Sequence, residues 1–309
     1  MMRRLPLLAI AGMVGLGAFA AARMRRPQRI ARRPQPRAKR FGPVALSATV
    51  ARDVDRSAAL LALLALADSG LEHYRGSFHN RVMYVPLGVA ATTMVACLRD
   101  AASGSRRTQR SAAVPGLAIT TGIVGTGFHI YNIAKRPGGI SWLNLFYAAP
   151  LGAPAALSLA GLLDGTARLL RRDRHAFAGA PLARLLAGIV AAGLVGSSAE
   201  AGLLHFRGAY HNPAMVIPVI VPPAAAFLLA RAAMCRRGRH APARWMLLSL
   251  AAIGLAGTGF HAYGVQRNMG GWRNLSQNLL NGPPLPAPPA FTALAIAGLA
   301  ALRLIETGA

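Results

Sequence analysis

Acidic residues are scarce. The 309-residue chain carries 9 Asp and Glu against 35 Lys and Arg, and the first of the nine is Asp53. A net charge of +26 is common among nucleic-acid binders. Here, however, the basic residues sit in short runs between apolar segments, and no aromatic-studded basic domain is visible. That pattern excludes nucleic acid as a partner and suits a chain whose positive loops orient it beside anionic lipid. Cysteine is nearly absent. Cys97 and Cys235 do not correspond in the repeat described below, and both fall at expected cytoplasmic helix ends, so no disulfide framework is read from them. A nucleotide-binding loop, a Ser-His-Asp order, CxxC and CxxCH are all missing, which leaves a soluble-enzyme reading without support.

Charge of either sign is also limited. Charged residues make up 14% of the chain and hydrophobic residues 54%, and the charges lie between the apolar runs. This is the pattern of an all-α, polytopic membrane protein, since a charge at the bilayer centre is costly and only a helix or closed barrel satisfies its backbone in lipid. Residues 5–22 form an apolar run after Met-Met-Arg-Arg, signal-like in composition. Eleven Arg or Lys follow between Arg23 and Arg56. Such a block resists translocation, so residues 1–22 are expected to be an uncleaved N-terminal anchor and 23–56 a basic cytoplasmic linker. Eight further spans are expected at about 57–77, 82–98, 112–133, 145–163, 181–204, 213–234, 243–264 and 286–304, each near the ~20 residues that cross a bilayer.

The chain repeats itself. Asp68-Ser-Gly-Leu-Glu-His73-Tyr-Arg75-Gly76-Ser-Phe-His79-Asn80 returns 132 residues later, His73 to His205, as Glu200-Ala-Gly-Leu-Leu-His205-Phe-Arg207-Gly208-Ala-Tyr-His211-Asn212. At the same offset, Gly125-Thr-Gly-Phe-His129 returns as Gly257-Thr-Gly-Phe-His261. Met83 and Pro86 match Met215 and Pro218, and Asn144, Pro150 and Pro154 match Asn278, Pro284 and Pro288 after a shift of two. The expected architecture is therefore two tandem four-helix repeats, residues 57–176 and 177–309. Four is even, so both run the same way through the membrane, as a parallel repeat. The Arg-rich loops around 99–110, 168–184 and 231–244 are assigned to the cytoplasm of an inner (plasma) membrane. The paired histidines then lie at the external, periplasmic face.

The retained residues suggest chemistry. His73 and His129 end the first and third helices of their repeat, and His205 and His261 do so in the second. Two imidazoles on neighbouring helices can supply the axial ligands of b-type haem. Gly122, Thr126 and His129 share one helical face, as do Gly254, Thr258 and His261. Small residues below a histidine leave room for a macrocycle or quinone, or else let helices approach closely. Asp68 and Glu200, seven residues before Arg75 and Arg207, share a stripe with them. An intramembrane carboxylate at such a place relays protons, contacts a quinone or orients a histidine. Arg75 and Arg207 are candidates for an anionic group such as a haem propionate, or for dipole compensation at a helix end. His79 and His211, with Met83 and Met215 four residues on, offer nitrogen and soft sulfur to copper, or nitrogen to zinc.

In plan, the two four-helix halves are similar to membrane subunits of quinone-linked respiratory oxidoreductases, such as the polysulfide-reductase type; the similarity is of topology and rests on no motif. The first expectation is a membrane redox subunit that passes electrons between quinone and an external partner or dehydrogenase subunit. A metal or small-solute transporter and a structural or assembly protein are the alternatives.

Overall fold

The computed structural model describes residues 43–103, 113–172, 180–235 and 240–307. The expected anchor at 5–22 and most of the basic block after it lie outside the described residues. Among those described there is no strand. The order is helix α1 (Pro43–Arg75), a 3-10 turn (Arg81–Tyr84), α2 (Val85–Ser103), α3 (Ala113–Ala134), short α4 (Trp142–Tyr147) and α5 (Gly152–Arg172). Then come α6 (Ala180–Arg207), a 3-10 turn (Pro213–Val216), α7 (Ile217–Met234), α8 (Ala241–Gln266), a 3-10 turn (Gly271–Asn274), short α9 (Leu275–Asn281) and α10 (Pro289–Thr307).

Among the described residues, six helices are long and apolar enough to cross a membrane: Arg81–Ser103, Ala113–Ala134, Pro181–Arg207, Pro213–Met234, Ala241–Gln266 and Pro289–Thr307. By this measure the chain is a multi-pass membrane protein. Helices α1 and α5 are as long but more polar: α1 carries Arg52, Asp53, Asp55, Arg56 and Asp68, and α5 carries Asp164, Arg168, Arg171 and Arg172.

Three boundaries differ from the sequence reading. The spans expected from 145 and 286 begin later, at Gly152 and Pro289, because a separate short helix precedes each. Ser141 caps α4 by accepting from the Asn144 backbone N–H at 3.3 Å. Asn144 Nδ2 then reaches back to the carbonyls of Pro137 (3.1 Å) and Gly139 (2.7 Å), and Asn278 Nδ2 to those of Met269 (3.3 Å) and Gly271 (2.8 Å). Gly138, Gly139, Gly270 and Gly271 all have positive φ, which is why these two loops use paired glycines. Helix α1 begins at Pro43, inside the stretch read as linker. Val50, Ala51 and Val54 there are fully buried, and that burial, invisible to local hydropathy, extends the helix.

The core lies between α1, α5, α6 and α10. Helix α1 packs on α5 and α10, and α6 packs on α10 and α5. Helices α2 and α3 flank the first pair, α7 and α8 the second. Alanine and leucine dominate the contacts: Ala58, Ala160, Ala187, Ala297, Leu163, Leu186, Leu294 and Leu302 are all fully buried. In lipid the hydrophobic effect does not hold helices together, so small residues that permit close packing are the expected solution. Large apolar side chains on the flanking helices, among them Leu117, Ile123, Phe227 and Leu255, face outward, as a lipid-contacting belt would.

Candidate functional site

Helix α1 ends in a tight wrap of the chain that fixes His73. Phe78 N–H donates to the His73 carbonyl (3.0 Å) and Ser77 N–H to that of Tyr74 (2.8 Å). This is a Schellman ending, which satisfies two carbonyls the helix would otherwise leave open. The same two bonds recur at the end of α6, from Tyr210 to His205 (3.1 Å) and from Ala209 to Phe206 (2.9 Å). The left-handed position is taken by Ser77 (φ 56°) and Ala209 (φ 57°), and it continues into Phe78 (φ 44°) and Tyr210 (φ 46°). Gly76 and Gly208 themselves do not have positive φ. A Cβ on either would stand 3.3 or 3.2 Å from the terminal methyl of Met83 or Met215.

Asn80 and Asn212 then cap the following 3-10 turns by accepting from Val82 N–H (3.0 Å) and Ala214 N–H (2.9 Å), with Pro213 opening the second turn. These turns aim the carbonyls of Met83 and Met215 back at the preceding helix. His73 Nδ1 lies 2.8 Å from the Met83 oxygen, and His205 Nδ1 lies 2.7 Å from that of Met215. His129 on α3 and His261 on α8 meet the oxygens of Pro150 (2.6 Å) and Pro284 (2.7 Å), just before α5 and α10. His79 and His211, both exposed, approach the oxygens of Gly76 (3.0 Å) and Gly208 (3.1 Å).

A carbonyl oxygen can only accept. Nδ1 therefore carries the hydrogen in all six rings, and in the neutral ring Nε2 holds the free lone pair. Proteins fix a ligating imidazole in this way, one nitrogen donated to backbone and the other turned to a metal. His73 and His129 lie within electrostatic reach of each other, as do His205 and His261.

The glycines below the third-helix histidines do not leave a slot. A Cβ on Gly122 would stand 2.2 Å from Ser158 Oγ and 2.4 Å from the Pro154 oxygen; one on Gly254 would stand 2.3 Å from Thr292 Oγ1. Ser158 and Thr292 donate across the contact to the carbonyls of Ile119 (3.2 Å) and Ala251 (2.8 Å). Of the two sequence readings for these positions, close helix approach is the one realised. Thr126 and Thr258 bond their own helices, to Gly122 (2.9 Å) and Gly254 (3.0 Å).

The paired carboxylates differ. Glu200 Oε1 accepts the Gly152 backbone N–H at 2.8 Å, where α5 begins. Gly152 lies so close that an added Cβ would fall 1.6 Å from Oε2. The position corresponding to Gly152 in the second half is Pro286, which has no N–H to offer Asp68. Asp68 and Glu200 are nonetheless within electrostatic reach of each other. The arginines also diverge. Arg75 pairs with Glu72. Leu204 stands where Glu72 does, and Arg207 instead donates to the Phe146 carbonyl (3.1 Å) and lies over the Tyr147 ring.

Sequence reasoning missed a buried polar cluster at the other end of the first half. Asp55, Cys97, Asp100, Asp164 and Arg168 are buried there, with Arg171 beside them. The signal was present: Asp55, Asp100 and Asp164 interrupt apolar helices, and none has an acidic counterpart in the second half.

No family model matches the chain, and neither a curated protein nor a solved structure is significantly similar to it.

Proposed function

We propose that this chain is an integral-membrane redox subunit. In this reading each half offers two imidazoles through Nε2 to a metal-centred group, of which b-type haem is the first candidate. His73 and His129 would hold one such group and His205 and His261 the other. When bound, the group supplies one-electron transfer. The protein's part is to fix ring orientation and tautomer, and to keep Asp68 and Glu200 nearby for proton or quinone contact. The observation that carries the reading is the donation of Nδ1–H to a backbone carbonyl in every one of these rings. The architecture that goes with it is two tandem parallel four-helix repeats in an inner membrane, with basic loops cytoplasmic and the histidines external, facing a redox partner.

The test is the visible spectrum of the purified protein in detergent, before and after dithionite. A Soret band with reduction-dependent α and β bands is expected, and a featureless spectrum from folded protein ends the haem reading. His129→Asn and His261→Asn then separate ligation from packing. The Asn amide can reproduce the Nδ1 donor but has no counterpart of Nε2. Loss of the band with unchanged thermal stability supports ligation, and an unchanged spectrum removes these residues as ligands.

A second reading is metal transport. It draws on His79 and Met83 each lying against Gly76, and on His211 and Met215 each lying against Gly208. Copper or zinc bound by a haem-free protein, and lost in His79→Ala and His211→Ala, would favour it.

A further inference from the structure

Helix α7 carries two consecutive prolines inside it, Pro222 and Pro223. A proline has no N–H to give the carbonyl four residues back, and its ring crowds that carbonyl. The carbonyls that lose their helical donors here are those of Pro218 and Val219. Ser198 of α6 meets both. Its Oγ donates across the helix contact, 3.1 Å from the Pro218 oxygen and 2.9 Å from the Val219 oxygen. Ser198 is buried. A hydroxyl has a single hydrogen, so one donor on a neighbouring helix is shared between two acceptors that a regular helix would serve with two N–H groups of its own.

The first half lacks the whole arrangement. Ala90 and Ala91 stand where Pro222 and Pro223 do, and Leu66 stands where Ser198 does. Both alanines keep an N–H for the carbonyls of Pro86 and Leu87, so α2 needs no outside donor there. The serine is present in the half that has the proline pair and absent from the half that does not.

Burial divides α7 at the same place. Beyond the prolines, Ala225, Ala226, Leu229, Ala232 and Ala233 are buried and join the helix to the core. Between Pro213 and Val221 no residue is buried. The hydrogen bonds that tie this outer stretch to α6 are those of Ser198 and the one from His205 Nδ1 to the Met215 carbonyl at 2.7 Å.

We propose that Pro222 and Pro223 form a hinge, that Ser198 is its latch, and that residues 213–221 are a flap that swings against α6 in the second half only. Met215 lies roughly 10 Å along the helix from Pro222. A bend of about 20°, the size at which proline kinks begin, moves its carbonyl by roughly 3–4 Å. That displacement breaks the bond with His205. The flap therefore releases His205 Nδ1, while His73 keeps the Met83 carbonyl at the head of a helix with no such break. The device does not depend on what the histidines bind.

The test is a pair of spin-label distances, measured by pulsed electron paramagnetic resonance on the full chain in detergent. The background is Cys235→Ser, in which the buried Cys97 takes no label. Val216→Cys with Tyr131→Cys reports the flap against the other half, and Tyr84→Cys with Tyr263→Cys is the corresponding pair for the first half. All four positions are exposed. Ser198→Ala is expected to raise a population of the Val216 pair displaced by about 3 Å. The rise should be about two- to tenfold over unmutated Ser198, the weight of one hydrogen bond. The Tyr84 pair should not change, and Pro222→Ala/Pro223→Ala should remove the displaced population by restoring the helix's own donors. The proposal is overturned if Ser198→Ala leaves the Val216 distances as they were, if both pairs respond alike, or if the displaced population survives replacement of both prolines. Should Ser198→Ala fail to fold, its recovery in the Pro222→Ala/Pro223→Ala background upholds the latch, and failure in both backgrounds overturns it.

Discussion

A single hydrogen atom at position 152 decides where Glu200 sits. With an added methyl group falling 1.6 Å from Glu200 Oε2, Gly152→Ala must push the carboxylate off the backbone N–H. The expected cost is about 1–3 kcal/mol, the penalty for a buried group that loses its partner, measured as unfolding in detergent. The same change made in a Glu200→Ala background should cost little, because the collision is gone; an equal cost in both backgrounds would show that Glu200 is not the obstacle. At this scale the sequence was partly legible. Retention of His73, His129, His205 and His261 at a fixed offset marked them out. Which ring nitrogen is occupied was not legible, because the acceptors are carbonyls of Met83, Pro150, Met215 and Pro284, and every residue has a carbonyl. The special status of Gly152 was hidden too, since its partner is 48 residues away.

At the scale of the element, the ends of α1 and α6 carry strain that the sequence conceals. Ser77 and Ala209 occupy left-handed backbone with a Cβ attached, where L-residues are disfavoured by roughly 1–2 kcal/mol. Ser77→Gly and Ala209→Gly should each stabilise the protein by about 1 kcal/mol, read from thermal or denaturant unfolding in micelles. A loss of stability would mean that the side chains make contacts outweighing the backbone strain. The helices themselves were legible, because a segment in lipid has little choice but to be helical. The caps at Asn80 and Asn212 were legible for the same kind of reason, a short side chain next to a helix start. The first turns of α1 were not. Residues 43–56 look like a charged linker, and only their packing against α10 and α5 makes them part of the core.

The whole molecule has two halves that agree at one end and differ at the other. The backbone contacts of the paired histidines all have counterparts; in the buried cluster none does. The sequence shows three acids interrupting apolar helices but not that they meet, since members of the cluster lie 42 (Asp55 and Cys97) to 116 (Asp55 and Arg171) residues apart in the chain. Its energetics are directly testable. Arg171→Ile alone leaves Asp55 without its partner and should destabilise by about 3–5 kcal/mol, whereas replacing all six polar residues with those of the second half should be neutral or stabilising. Chemical unfolding of both variants in the same detergent makes the comparison. A mild effect of Arg171→Ile would show that the pair is well solvated.

The way the halves meet has one further consequence. Helices α5 and α6 are tied beside the histidines, by Glu200 on Gly152. Helices α1 and α10 are tied at the far end, by Ser57 on the Ala293 carbonyl at 2.6 Å and by Arg303 on Asp53. Neither tie has a mirror image: Pro286 stands opposite Gly152, and Ile189, Leu169 and Leu185 stand where Ser57, Arg303 and Asp53 would be matched. Two seams stitched at opposite ends cannot part like a book. Any relative movement of the halves is a twist, with the loose end of each seam swinging widest at opposite faces of the bundle.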